Sequence, residues 1–95
     1  MTTYFVTRHA GAVEWAKGIG VEAVLVAHLD STIVKPGDTI LGTVPFELAA
    51  DVIARGGKYF NLEMKVPAEF RGKDLTAADM NRFGARLQEY RVERL

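Results

Sequence analysis

Apolar residues arrive in short bursts between turn residues and helical stretches, and this rhythm restricts the fold more than any single motif. Tyr4-Phe5-Val6 is a brief run of strand-forming residues. Glu22-Ala23-Val24-Leu25-Val26-Ala27 is the strongest strand signal, and its nearly continuous apolar character suits a strand buried on both faces. Thr39-Ile40-Leu41-Gly42 is a third strand, set off by the Pro36-Gly37-Asp38 turn. Lys58-Tyr59-Phe60-Asn61-Leu62-Glu63-Met64 alternates polar and apolar residues, as a strand nearer a sheet edge does.

Helical spacing fills the gaps. Gly11 opens a segment with Val13, Trp15, Ala16 and Ile19, in which Val13 and Ala16 share a face and Gly18 and Gly20 impose a stop. From Phe46 to Arg55, Ala49, Val52 and Ile53 recur at helical spacing behind Pro45, and Gly56-Gly57 ends the run. Thr76 with Asp79 forms a helix start, and Met80, Phe83, Leu87 and Tyr90 form the stripe of a last helix. The charged tail from Arg91 to Leu95 reads as frayed or as part of an interface. The order β-α-β-β-α-β-α predicts a small Rossmann-like α/β domain, a mostly parallel four-stranded sheet with helices on both faces. The favoured strand order is 3-2-1-4; the alternative 2-1-3-4 also sets the first and third strand ends side by side. Crossovers are expected to be right-handed, with ligands beyond the carboxyl ends of the strands.

At 95 residues the chain fits one domain spanning 1–95. With no cysteine it can form neither a disulfide nor a thiolate metal site. Twelve basic and twelve acidic residues balance, which argues against a long nucleic acid, whose binders release many counterions from a basic surface. A small anion held by local donors remains open. No apolar stretch spans a membrane, and Met1-Thr2-Thr3-Tyr4 is no secretory signal, so a cytoplasmic protein is expected. The dinucleotide fingerprint, P-loop, nucleophile elbow and paired-histidine helix are all missing.

Three short motifs fall at the expected strand ends. Thr7-Arg8-His9 precedes Gly11 and the first helix. Gly11 would let backbone approach a ligand, and a helix start offers free amides to an anion. The planar fork of Arg8 suits a phosphate, and an imidazole such as that of His9 can carry a proton near neutrality. The competing reading is a surface Arg–His pair that holds a loop. His28 and Asp30 follow the second strand; Asp30 either orients a histidine or caps the next segment. Gly42-Thr43-Val44-Pro45 offers a hydroxyl and open space, or simply a helix start. Lys35 is a further cation, with a solvated lysine as its default reading. Trp15 and Tyr59 read as core. His9, His28 and Asp30 have no diagnostic metal-ligand spacing, so neither a metal nor a cofactor is expected. Arg8-His9-Ala10-Gly11 resembles the Arg-His-Gly of histidine phosphatases, but an alanine intervenes and the chain is short for that fold.

Taken together, Thr2-Thr3-Tyr4-Phe5-Val6-Thr7-Arg8-His9, Gly11-Ala12-Val13-Glu14-Trp15, Val26-Ala27-His28-Leu29-Asp30, Pro36-Gly37-Asp38-Thr39, Gly42-Thr43-Val44-Pro45 and Leu87-Gln88-Glu89-Tyr90-Arg91-Val92 resemble a small accessory family of type III CRISPR systems, the Csx-type family numbered sixteen. Nearly the whole chain is covered, with Ala10 where many relatives carry proline, a difference that touches loop stiffness. The resemblance implies kinship to CARF sensors of cyclic oligoadenylates and a ring nuclease that degrades cyclic tetra-adenylate. On chemical grounds His9 is then the acid/base, with His28 as alternative, and Arg8 the phosphate clamp. Thr7, Gly11, Gly42, Thr43, Asp30 and Lys35 supply the substrate-binding positions. A two-fold homodimer would match the symmetry of such a ring. The other readings are a module that binds the ring without cutting it and a structural subunit that touches no nucleotide.

Overall fold

The computed structural model describes residues 1–95. In chain order its elements are β1 (Thr3–Val6), α1 (Ala10–Gly18), β2 (Val24–Val26), β3 (Thr39–Gly42), α2 (Phe46–Ala54), β4 (Lys58–Glu63), α3 (Ala77–Arg82) and β5 (Arg86–Tyr90). Short 3₁₀ turns occupy Ser31–Ile33 and Ala68–Phe70. The five strands form one sheet in the order β2-β1-β3-β4-β5. The first three pairings are parallel, and β5 lies antiparallel to β4. This is an α/β fold with a mostly parallel sheet, compatible with a small Rossmann-like domain.

The pleat sends successive side chains to opposite faces, so each central strand feeds two cores. Phe5 and Leu41 face one side and pack with Ala12, Trp15 and Ala16 of α1 and Met80 of α3. Val6, Ile40 and Tyr59 face the other and pack with Ala49 and Val52 of α2 and with Val34. Phe5, Ile40 and Val52 are fully enclosed. Burying side chains of this size stabilises the fold by about 1.5–3 kcal/mol each. Trp15 adds a polar tie between α1 and α3, donating its Nε1–H to Asn81 Oδ1 at 3.1 Å. The turn before β3 is fastened by Asp38, whose buried carboxylate accepts from the backbone N–H of Lys35 at 3.0 Å and of Thr2 at 2.9 Å. Those two bonds, Lys35 foremost, hold its carboxyl below the usual aspartate range.

Three sequence expectations change. The sheet has five strands rather than four, because the stripe Met80-Phe83-Leu87-Tyr90 is split. Gly84 adopts φ 73°, a left-handed conformation that ends α3, and Leu87 then pairs with Leu62 as part of a strand. The order 3-2-1-4 gives way to 2-1-3-4 extended by β5. Accordingly β2 is an edge strand and not one buried on both faces: Val24 and Leu25 are each about half exposed. A run of apolar residues reports strand propensity without saying how many neighbours the strand has.

Other expectations hold. Thr76 and Asp79 form a reciprocal capping box at the start of α3. Pro45 stands at the N-cap of α2, and Trp15 and Tyr59 are core residues. The tail differs: expected to be frayed or part of an interface, it is docked on the chain's own α2, with Arg94 donating to Asp51 Oδ1 at 2.9 Å and Val92 packed against the α2-side core.

Candidate functional site

β1 and β3 are neighbours, and their carboxyl ends open onto a cavity of about 690 Å3. Pockets of roughly 300–1,000 Å3 take ligands of drug or nucleotide size. Thr7, Arg8 and His9 enter from the end of β1, His28 and Leu29 from beyond β2, and Gly42, Thr43, Val44 and Pro45 from the end of β3. Ala12, Leu62, Met64 and Met80 supply apolar lining, and Val66, Lys73 and Leu75 come from the segment joining β4 to α3.

The electrostatics of the lining are one-sided. Both histidines of the chain, Arg8 and Lys73 border the cavity, whereas none of the twelve carboxylates does. Arg8 and Lys73 also lack a carboxylate partner elsewhere, since the four ion pairs use Lys17, Arg82, Arg86 and Arg94. In a chain of zero net charge this concentrates uncompensated positive charge in one concave, mostly apolar place. Such a place suits an anion that carries apolar surface.

Backbone geometry adds donors. At α1 the N-cap is His9, which offers no side-chain cap, and the first turn holds no acidic residue. The N–H of His9 is used by Thr7 Oγ1 at 3.1 Å, while those of Ala10 and Gly11 find no protein acceptor. The N-terminus of α1 therefore presents free amides beside Arg8.

The turn after β3 is held from below. Tyr59 Oη accepts from the Val44 N–H at 3.2 Å and lies 2.7 Å from Asn61 Oδ1, to which it donates, and 3.2 Å from the Gly42 carbonyl. Asn61 Nδ2 reaches Glu63 Oε2 at 3.4 Å, and the Tyr90 hydroxyl donates to that same oxygen. Tyr59, Asn61 and Glu63 are alternate residues of β4, so one strand face carries a polar ladder from the cavity wall to the β5 edge. Burial, first, and the nearby Glu63 charge keep the Tyr59 hydroxyl protonated to higher pH than a free phenol, against the pull of the Val44 N–H. Hydrogen bonding to Tyr90, above all, holds Glu63 below the usual carboxylate range.

The sequence-derived candidates separate accordingly. Thr7, Arg8, His9, His28, Gly42 and Thr43 come together around the cavity; Gly11, Asp30 and Lys35 do not line it. Gly11 is needed for packing: a Cβ there would overlap the Leu75 carbonyl oxygen at the entry to α3. The open side of Gly42, at φ 129°, is likewise occupied by the Val6 carbonyl. Asp30 caps the 3₁₀ turn, its Oδ1 accepting from the Thr32 N–H at 2.9 Å and Oγ1–H at 2.7 Å. No three His, Cys, Asp or Glu side chains converge as a metal-ligand cluster.

Sequence reasoning missed Lys73 and the Tyr59–Asn61 pair. Lys73 follows Gly72 in a stretch without periodicity, and nothing local marks it. The Tyr-x-Asn-x-Glu alternation of β4 was a usable signal for a polar ladder.

Residues 4–93 match the family model described as "Putative CRISPR-associated protein (Cas_VVA1548)". No curated protein and no solved structure matches the chain.

Proposed function

The chain belongs to this CRISPR-associated family, and from that premise we propose that it is a ring nuclease that binds and opens cyclic tetra-adenylate. The observation that carries the reading is the cavity at the strand ends, bordered by Arg8, Lys73, His9 and His28, free of carboxylates and otherwise mostly apolar. Phosphodiesters need the cations and amide donors; adenine and ribose need the apolar walls. The resemblance to the Csx-type family numbered sixteen supplies the identity of the ring.

In the proposed reaction a ribose 2′-hydroxyl attacks the adjacent phosphorus in line with the 5′ oxygen. The new P–O2′ bond forms as the P–O5′ bond breaks, giving a 2′,3′-cyclic phosphate and a 5′-hydroxyl. His9 takes the proton from the 2′-hydroxyl, and His28 or water delivers one to the departing 5′ oxygen. Arg8 and the α1 amides stabilise charge on the non-bridging oxygens, and Thr7 and Thr43 position the phosphate. Two chains related by a two-fold axis would present these groups twice to one ring.

Incubation of the purified protein with labelled cyclic tetra-adenylate in EDTA tests the reading. Linear products over multiple turnovers support it. Retention without product supports a sequestering module, and no retention excludes both. Given turnover, His9→Ala lowers kcat far more than affinity, whereas Arg8→Ala impairs both.

A further inference from the structure

The segment between β4 and α3 lies against the first turn of α1 and lines the cavity with Val66, Lys73 and Leu75. Leu75 abuts Gly11 so closely that no side chain fits between them, which joins this segment to the first turn of α1. Lys73, two residues before Leu75, thereby comes to the same cavity as Arg8, three residues before Gly11. Its ammonium lies 5.7 Å from the centre of the Phe70 ring, which packs edge-on against Phe83 at 5.1 Å. A cation resting on an aromatic face and lacking a carboxylate partner is available to a ligand anion, because leaving the ring breaks no ion pair.

We propose that Lys73 is a second phosphate-binding cation of the site and that each chain thereby holds two phosphodiesters, one at Arg8 and one at Lys73. This rests on the cyclic-nucleotide reading above and narrows it. Arg8 and Lys73 are the one arginine and the one lysine bordering the cavity. Two per chain make four per two-fold dimer, which neutralises a ring of four phosphates. A ring of three leaves one cation unmatched, and a ring of six leaves two phosphates unpaired. Two cations per chain thus match the four-membered ring of the reading above, at one ring per two chains.

Binding of labelled cyclic tetra-adenylate to the full chain is measured across a tenfold range of NaCl. Four neutralised phosphates give log Kd against log salt a slope of about 2.8, at roughly 0.7 per phosphate of a single strand, and Lys73→Ala lowers it to about 1.4. Lys73→Arg retains the wild-type slope and Tm, and Lys73→Ala stays folded with Tm lowered by at most a few degrees, because Lys73 is exposed and loses only its surface contact with the Phe70 ring. A lysine that merely braced the segment would leave the slope unchanged, and that result overturns the assignment. If the wild type binds no ring at all, the ring-nuclease reading falls, and inorganic tripolyphosphate tests Lys73 by itself. Weaker binding by Lys73→Ala than by the wild type then upholds the phosphate contact; equal binding, or none to either, overturns it.

Discussion

Replacing Tyr59 by Phe isolates the polar support under the cavity. The ring keeps its place in the core, where Tyr59 is 4% exposed, and only the hydroxyl is lost. Val44 N–H loses its acceptor at 3.2 Å and Asn61 Oδ1 its donor at 2.7 Å. Each stranded, partly buried group costs about 1 kcal/mol or somewhat more, so the fold loses about 2–3 kcal/mol. For a domain of this size that lowers Tm by roughly 10–20 °C, at about 4–8 °C per kcal/mol. Thermal unfolding followed by circular dichroism reads the shift. The sign with pH follows from the raised hydroxyl pKa. The protonated phenol is favoured in the fold, so its contribution is complete below the unfolded value near 10.0 and is lost as pH rises through the folded value. The gap between wild type and Tyr59→Phe therefore narrows in alkali. A fall in Tm of less than about 3 °C would show instead that water replaces both bonds without loss and that Tyr59 gives the turn no polar support.

Gly11→Ala places a methyl group against the Leu75 carbonyl and costs about 1–3 kcal/mol in urea unfolding, the usual penalty for overpacking. Thr76→Ala removes the cap from Asp79 N–H at 3.1 Å and costs about 1 kcal/mol by the same measurement. Asp38→Asn changes acid sensitivity. The depressed carboxyl contributes stability above its unfolded pKa of 3.8 and loses it as pH falls towards the folded value, so the Asn variant shows a flatter urea midpoint across that window.

Much of the fold was legible because local chemistry and tertiary structure agree. Gly56 and Gly57 end α2, Thr76 and Asp79 start α3, and Pro36 to Asp38 turn the chain into β3. What failed was non-local. The spacing of Met80, Phe83, Leu87 and Tyr90 is helical, yet Gly84 interrupts it and the available edge of β4 draws Leu87 and Tyr90 into a strand. Val24 and Leu25 look like central-strand residues, but strand order is set by how crossovers pack and not by the composition of one run.

The site divides in the same way. Arg8, His9, His28 and Thr43 were legible because the ends of parallel strands gather on one side of an α/β sheet. Gly11 reads as a place of close approach to a ligand and Gly42 as open space, but backbone from Leu75 and Val6 fills those positions. Lys73 lay hidden because its position depends on a contact across more than sixty residues of chain.

The proposed activity requires the carboxylate-free cavity to take a phosphodiester ring. Nuclear magnetic resonance of isotopically labelled protein titrated with cyclic tetra-adenylate tests it most directly. The largest shifts are expected at Thr7 to His9, at His28 and at Thr43 to Val44, saturating at one ring per two chains. Shifts confined to the β2 edge, the β5 edge or the tail, or no shifts at all, would contradict it.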